Sequence, residues 1–204
     1  MNIGLTGGIA TGKSTVAEML KLRGAIISDA DVIAREVVAA GSPGLAQVVA
    51  HFGKLYLRPD GTLDRIRLGE RIFQDKQARS ELNHILHPLI MAKMQKEVRR
   101  IEKENPDTII VWDIPLLYEE DLTEFVEKVI VVYVAEDQQI KRLMLRNNYT
   151  EEEATMRVQS QMSIERKKER ADFVIDNQGT LSETERQVDQ LWNYLILKNG
   201  SNRP

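Results

Sequence analysis

Five short segments are apolar at nearly every position rather than at every second one: residues 2–6, 25–28, 108–112, 128–134 and 173–175. A strand with one wet face alternates apolar and polar side chains. Unbroken apolar runs instead predict strands covered on both faces, as in a parallel sheet flanked by helices. Between them, residues 13–22, 30–38 and 138–146 carry the spacing of helices. In the closing segment, 182–198, Val188, Leu191, Trp192, Leu195 and Ile196 fall on one helical stripe. Ser182 with Glu185 reads as its capping box and Gly200 as its stop. Strand and helix in alternation predict an α/β fold with right-handed crossovers.

Two stretches break the rhythm. Residues 42–105 contain no convincing strand, only helical pieces punctuated by "SPG" and "RPDG", and read as a helical insertion between the second and third strands. Residues 136–170 are charged, helical and poor in apolar surface. The expected organisation is therefore a core of 1–41, 106–135 and 171–198, an insertion at 42–105, a lid at 136–170 and a disordered tail at 199–204.

Composition narrows the setting. Of 204 residues 42% are hydrophobic, enough for a sizeable core, and the longest apolar run, 129–135, is far too short to span a bilayer. The N-terminus has no signal-peptide pattern, so a cytoplasmic location is expected. The chain has no cysteine, which excludes disulfides and thiolate metal sites. A net charge of −3 from 28 basic and 31 acidic side chains argues against a nucleic-acid partner. No heptad seam indicates an oligomer, and no membrane partner is expected.

The first apolar run leads into Gly7-Gly8-Ile9-Ala10-Thr11-Gly12-Lys13-Ser14, which satisfies G-x-x-x-x-G-K-[ST]. Small residues let successive main-chain N–H groups turn inward around phosphate oxygens at a helix N-terminus, where the macrodipole also favours anions. Lys13 supplies a mobile charge for the β- and γ-phosphates, and the Ser14 hydroxyl is a ligand for Mg²⁺. A flexible turn before a helix is the bland alternative.

A phosphate loop leaves three classes open: a small-molecule kinase, a GTPase switch and a non-enzymatic nucleotide sensor. "FVIDNQG" imitates the D-x-x-G of GTPases, but it lies close to the C-terminus and no N-K-x-D follows. In "TIIVWDIPLLYE" Asp113 closes an apolar run, where a carboxylate supports Mg²⁺ directly or through water, or merely forms a turn. Asp29 and Asp31 follow the second strand at the carboxyl edge, where open α/β sheets bind ligands. One of them, by preference Asp31, can accept a proton from an attacking hydroxyl, while Asp29 suits a helix cap or metal-side support. Arg142 and Arg146 share a helix face at i, i+4, and Arg157 and Gln161 repeat the spacing. They belong either to a lid over phosphates or to a solvated charged helix.

Taken together, "IGLTGGIATGKSTV", "SDADVIAREV", "LNHILHPLI", "DIPLLYE", "KRLMLRNNYT" and "RADFVIDN" closely resemble the dephospho-CoA kinase family, in order over residues 2–192. The loop departs at Ala10-Thr11, where that family more often has Gly-Ser, so altered loop flexibility is expected. The resemblance implies transfer of the ATP γ-phosphate to the ribose 3′-hydroxyl of dephospho-CoA. The runner-up is another P-loop small-molecule kinase of nucleotide or shikimate type. The dephospho-CoA kinase resemblance also implies a three-layer P-loop NTPase fold with a five-stranded parallel sheet of the nucleoside-monophosphate-kinase kind, a helical domain for the acceptor and a lid. It further implies ATP at Gly8, Ala10, Thr11, Gly12, Lys13, Ser14, Thr15, Arg142 and Asn177. The acceptor is expected at Thr6, Asp31, His87 and Leu116, with Asp31 as general base, and Mg²⁺ at Ser14 and Asp113. His87, preceding Pro88, reads equally well as a helix-boundary residue.

Overall fold

The computed structural model describes residues 1–201. Its five strands are β1 (Asn2–Gly7), β2 (Ile26–Asp29), β3 (Ile110–Asp113), β4 (Lys128–Tyr133) and β5 (Phe173–Asp176). They form one sheet in the order β2-β3-β1-β4-β5, the α/β arrangement expected from the apolar runs. Strand β1 lies at the centre, parallel to β3 and β4, with Leu5 opposite Asp113 and Gly7 opposite Val132. Helices α1 (Lys13–Leu22) and α9 (Leu181–Ser201) pack together, and one core joins them to the sheet. It contains Ile3, Leu5, Leu20, Val111, Ile130, Val132, Val188 and Leu195. Burying each Leu or Ile side chain stabilises the fold by about 1.5–3 kcal/mol, which is why both strand faces are apolar. Leu117 closes on β1 so tightly that a Cβ at Gly4 would lie 2.8 Å from it.

Two compact units result, one of Met1–Ser28 with the chain from Glu102 onward, the other of Asp29–Ile101. The second consists of helices α2 (Ala30–Val37), α3 (Pro43–Phe52), α4 (Arg65–Gln74) and most of α5 (Lys76–Glu104). Val38, Leu45, Val48, Tyr56, Leu63, Leu68 and Leu82 form its own core. "SPG" starts α3: Ser42 Oγ accepts from the Leu45 amide at 3.1 Å, and Pro43 takes a position where its missing N–H is harmless. The helix-boundary reading of His87 does not hold, because α5 runs unbroken through Pro88. The proline withholds one N–H, from the carbonyl of exposed His84, where water is available instead.

In the first unit, α6 (Glu136–Asn147) and α7 (Glu151–Gln159) pair through a turn at Asn148, followed by α8 (Ile164–Glu169). This region is less polar than its composition implies. Leu143, Ala154 and Val158 are buried together, with Ile9 and Ala10 packed against them. Thr150 and Glu153 form a reciprocal capping box at the start of α7.

The cap of α9 differs from expectation. Thr180 and Glu183, not Ser182 and Glu185, exchange the capping bonds, at 3.3 and 2.7 Å. The two pairs share one spacing, and what separates them is tertiary: Thr184 is fully buried against Asn177 in the observed register. Residues 199–201 belong to α9, so no disordered tail begins at 199. Residues 202–204 of that expected tail lie outside the described residues. No helix among the described residues is long and apolar enough to cross a membrane.

Candidate active site

The phosphate-loop motif lies between the carboxyl end of β1 and the first turn of α1. The backbone takes left-handed conformations at Ala10 (φ 61°) and Gly12 (φ 85°), and Gly12 occupies the N-cap of α1 without a side-chain cap. The α1 N-terminus thus keeps main-chain donors for an anion. Thr11 is buried, its hydroxyl donating to the Gly8 carbonyl at 2.9 Å. A Cβ at Gly8 would collide with the Gln139 carboxamide, and one at Gly12 with that of Asn177, so both glycines permit close approach. Ser14 and Thr15 are exposed on the first turn.

Lys13 is ion-paired with Asp113, which ends β3 and is almost wholly buried. Ser14 and Asp113 offer a hydroxyl and a carboxylate oxygen. Such hard donors suit Mg²⁺, which commonly completes its shell with water and nucleotide phosphates. No cluster of three or more His, Asp or Glu among the described residues forms a separate metal site.

A second group of side chains holds the loop from behind. Asn177, just after β5, donates from Nδ2 to the Thr11 carbonyl at 2.7 Å. Its Oδ1 accepts from the Thr184 hydroxyl at 2.7 Å, and its own carbonyl accepts from Arg142 at 2.7 Å. Asn177, expected at the nucleotide, is thus engaged with the loop itself. The two arginines expected to act together separate. Arg142 joins this network, whereas Arg146 is exposed and bonded to Asn147. Arg157 and Gln161 do not share a helix face, because α7 ends at Gln159. Arg157 stacks on the Tyr149 ring, and Gln161 Oε1 accepts from the Ile9 amide at 2.9 Å. Thr6, expected on the acceptor side, has no exposed surface, and its hydroxyl donates to the Pro115 carbonyl at 2.9 Å. It supports the turn after β3, where Leu116 is half-buried.

Lys167 and Glu119 were missed by sequence reasoning. Lys167, on α8, is fully buried and paired with Glu119 at 2.8 Å. Burial pushes its ammonium below the ordinary lysine range, against the pull of Glu119. In the sequence it is one cation in "RKKER", with no local feature to single it out.

In the second unit, Asp29 caps α2, accepting from the amides of Asp31 and Val32 at 2.8 and 3.1 Å. That leaves the exposed Asp31 carboxylate one residue into the helix. Asp31 lines a cavity of about 280 Å³ together with Arg35 and Arg65 and the apolar Leu63, Leu82 and Leu86. An acid, two guanidiniums and an apolar floor suit a ligand with both polar and aliphatic parts. His87 is half-buried on α5 and does not line this cavity.

Comparison with known proteins is consistent along the whole length. The Dephospho-CoA kinase family model matches residues 1–183. A Listeria innocua protein named Dephospho-CoA kinase is 50% identical over 186 residues, covering 91% of this chain and 92% of its own. A Bacillus cereus protein of the same name is 47% identical over 197 residues, covering 97% and 96%. The solved structure of Dephospho-CoA kinase from Campylobacter jejuni superposes with a TM-score of 0.74 at 31% identity, covering 97% of this chain and 98% of that one.

Proposed function

The chain belongs to the dephospho-CoA kinase family, transferring the γ-phosphoryl group of ATP to the ribose 3′-hydroxyl of dephospho-CoA, and we propose that its phosphate loop holds the ATP while Asp31 takes the proton of the attacking hydroxyl. The observation that carries the assignment of ATP is the loop itself. It is a small-residue turn with two left-handed positions, opening α1 beside the Lys13–Asp113 pair.

In this reading Gly8, the residues from Ala10 to Thr15 and the Lys13 ammonium bind the phosphates. The acceptor oxygen attacks the γ-phosphorus, the bond to the β–γ bridging oxygen breaks, and ADP leaves. The hydroxyl proton passes to the Asp31 carboxylate, a contribution of roughly 10²–10⁴ in rate. Ser14 and Asp113 would hold Mg²⁺, which when bound offsets charge on the phosphate oxygens. Arg142 and Asn177 keep the loop in shape. The cavity lined by Asp31, Arg35 and Arg65 supports assigning the acceptor to the insertion, residues 42–105, together with α2. The lid is residues 136–170, and the remaining parts, 1–41, 106–135 and 171–198, form the nucleotide-binding core.

A coupled assay of ADP release tests the reading, with dephospho-CoA, shikimate and nucleoside monophosphates as separate acceptors. ADP release is expected with dephospho-CoA and absent with the others. Turnover supported equally by another acceptor contradicts the assignment.

A further inference from the structure

A fully buried lysine is costly unless partners replace the water around its charge. Lys167 has such partners for each of its three N–H bonds: the Gly7 carbonyl at 3.2 Å, the Pro115 carbonyl at 3.0 Å and Glu119 Oε1 at 2.8 Å. An ammonium so saturated, and without exposed surface, does not touch a phosphate and does not repeat the task of Lys13.

Two of its acceptors border the phosphate loop or Asp113, and the third is linked to the loop through its neighbours. Gly7 ends β1 and opens the loop, and Pro115 follows Asp113 by two residues. The Pro115 carbonyl is shared with the Thr6 hydroxyl. Glu119 Oε1 also accepts from the Met162 amide at 3.0 Å, next to Gln161, which holds Ile9. Glu119 Oε2 has no hydrogen-bond partner among the described residues, so Oε1 carries both of these bonds. An anion site built from main-chain amides needs the neighbouring carbonyls to face away, because a carbonyl dipole aimed inward repels the ligand. Lys167 draws two such carbonyls to its own side.

We propose that Lys167 is a positioning residue for phosphoryl transfer: touching neither substrate, it turns the Gly7 and Pro115 carbonyls from the anion site and holds the phosphate loop and Asp113 in place. The assignment rests on the reading that this loop binds the phosphates of ATP. An apolar residue of similar length would fill the same space but take this donor from the Gly7 carbonyl and leave the Pro115 carbonyl to Thr6 alone.

The test compares the wild type with Lys167→Met and with the double variant Lys167→Met/Glu119→Gln. It measures kcat, KM for each substrate and the thermal midpoint. Lys167→Met is expected to lower kcat by ~10², the typical effect of a small displacement of catalytic groups, and to raise KM for ATP. KM for dephospho-CoA is expected to stay within about twofold. The double variant leaves no buried carboxylate without a counter-charge, so its thermal midpoint is expected to recover while kcat remains low. Recovery of kcat together with the midpoint overturns the proposal, since the lysine would then serve cohesion alone. Should Lys167→Met not fold, the double variant decides: low kcat with a near-native midpoint supports the role, and wild-type kcat overturns it. Wild-type ADP release with dephospho-CoA, measured in the same series, separates failure of the underlying reading from failure of this assignment.

Discussion

The ammonium of Lys13 is bonded to the carboxylate of Asp113, so the charge of the loop lysine is neutralised by the residue that ends β3. Both side chains are largely sheltered, with 17% and 4% of their surface exposed, which strengthens the pair relative to one in open water. On the proposed reading, bound phosphates would give Lys13 another partner and leave Asp113 able to support Mg²⁺. Asp113→Asn is therefore expected to lower kcat by about 10² and to raise the Mg²⁺ concentration needed for half-maximal rate. Chelation is expected to abolish turnover in both proteins, with more Mg²⁺ needed to restore the variant. A Mg²⁺ titration identical to that of the wild type would remove Asp113 from the metal's support.

Arg142 acts on the loop through Asn177. Replacing it with alanine removes a charge-assisted bond to the Asn177 carbonyl, of a kind typically contributing about 1.5–3 kcal/mol. Arg142→Ala is expected to raise KM for ATP about tenfold or more. Asn177→Ala, which cuts the tether to Thr11, is expected to act in the same direction. Steady-state titration of ATP at saturating acceptor measures both. Arg146→Ala, on the exposed side of the same helix, is expected to leave KM unchanged.

Two loop positions are expected to respond in opposite ways. Ala10 sits at φ 61°, a conformation that costs a residue with a Cβ about 1–2 kcal/mol, so Ala10→Gly relieves strain and raises the thermal midpoint. Gly12 sits at φ 85°, and a Cβ there meets the Asn177 carboxamide. Gly12→Ala is expected to destabilise by about 1–3 kcal/mol and to weaken ATP binding. Thermal unfolding with and without ATP reads out both effects.

Two tyrosines define an alkaline limit. Burial pushes Tyr118 up to about 12, and the hydrogen bond to Glu165 pushes Tyr133 up to about 12, from an ordinary value of 10.0. Raised folded-state values mean the unfolded chain loses these protons first. Their stabilisation is complete below pH 10 and is lost as pH rises from 10 to about 12. Denaturant midpoints of the wild type are expected to fall across that window, and those of the Tyr118→Phe/Tyr133→Phe variant to fall less steeply.

How much of this was legible before folding depended on whether the physics was local. The loop from Gly7 to Ser14 carries its own conformational and electrostatic logic within eight residues. The strands announce themselves because both of their faces are buried. Asp29 and Asp113 are readable for a similar reason, each being a carboxylate where an apolar run stops. Lys167 was invisible, because nothing in "RKKER" distinguishes a fully buried lysine from its solvated neighbours until Gly7, Pro115 and Glu119 are brought to it. Gln161 was named for helical spacing, yet its bond to Ile9 depends on α7 having ended. Asn177 was expected at the nucleotide from the family resemblance, and its bonds to Thr11, Arg142 and Thr184 appear only once the fold brings those residues together. The register of the α9 cap was likewise set by Thr184, not by the capping pattern alone. Helix α5 passing through Pro88 reflects a tertiary context that outweighs one missing N–H.

The general-base assignment is tested most directly by single turnover of γ-labelled ATP with saturating dephospho-CoA, wild type against Asp31→Asn. Label transfer to the acceptor is expected to slow by ~10² or more while ATP binding stays at the wild-type level, because only proton acceptance is lost. Transfer at the wild-type rate in Asp31→Asn would contradict the account.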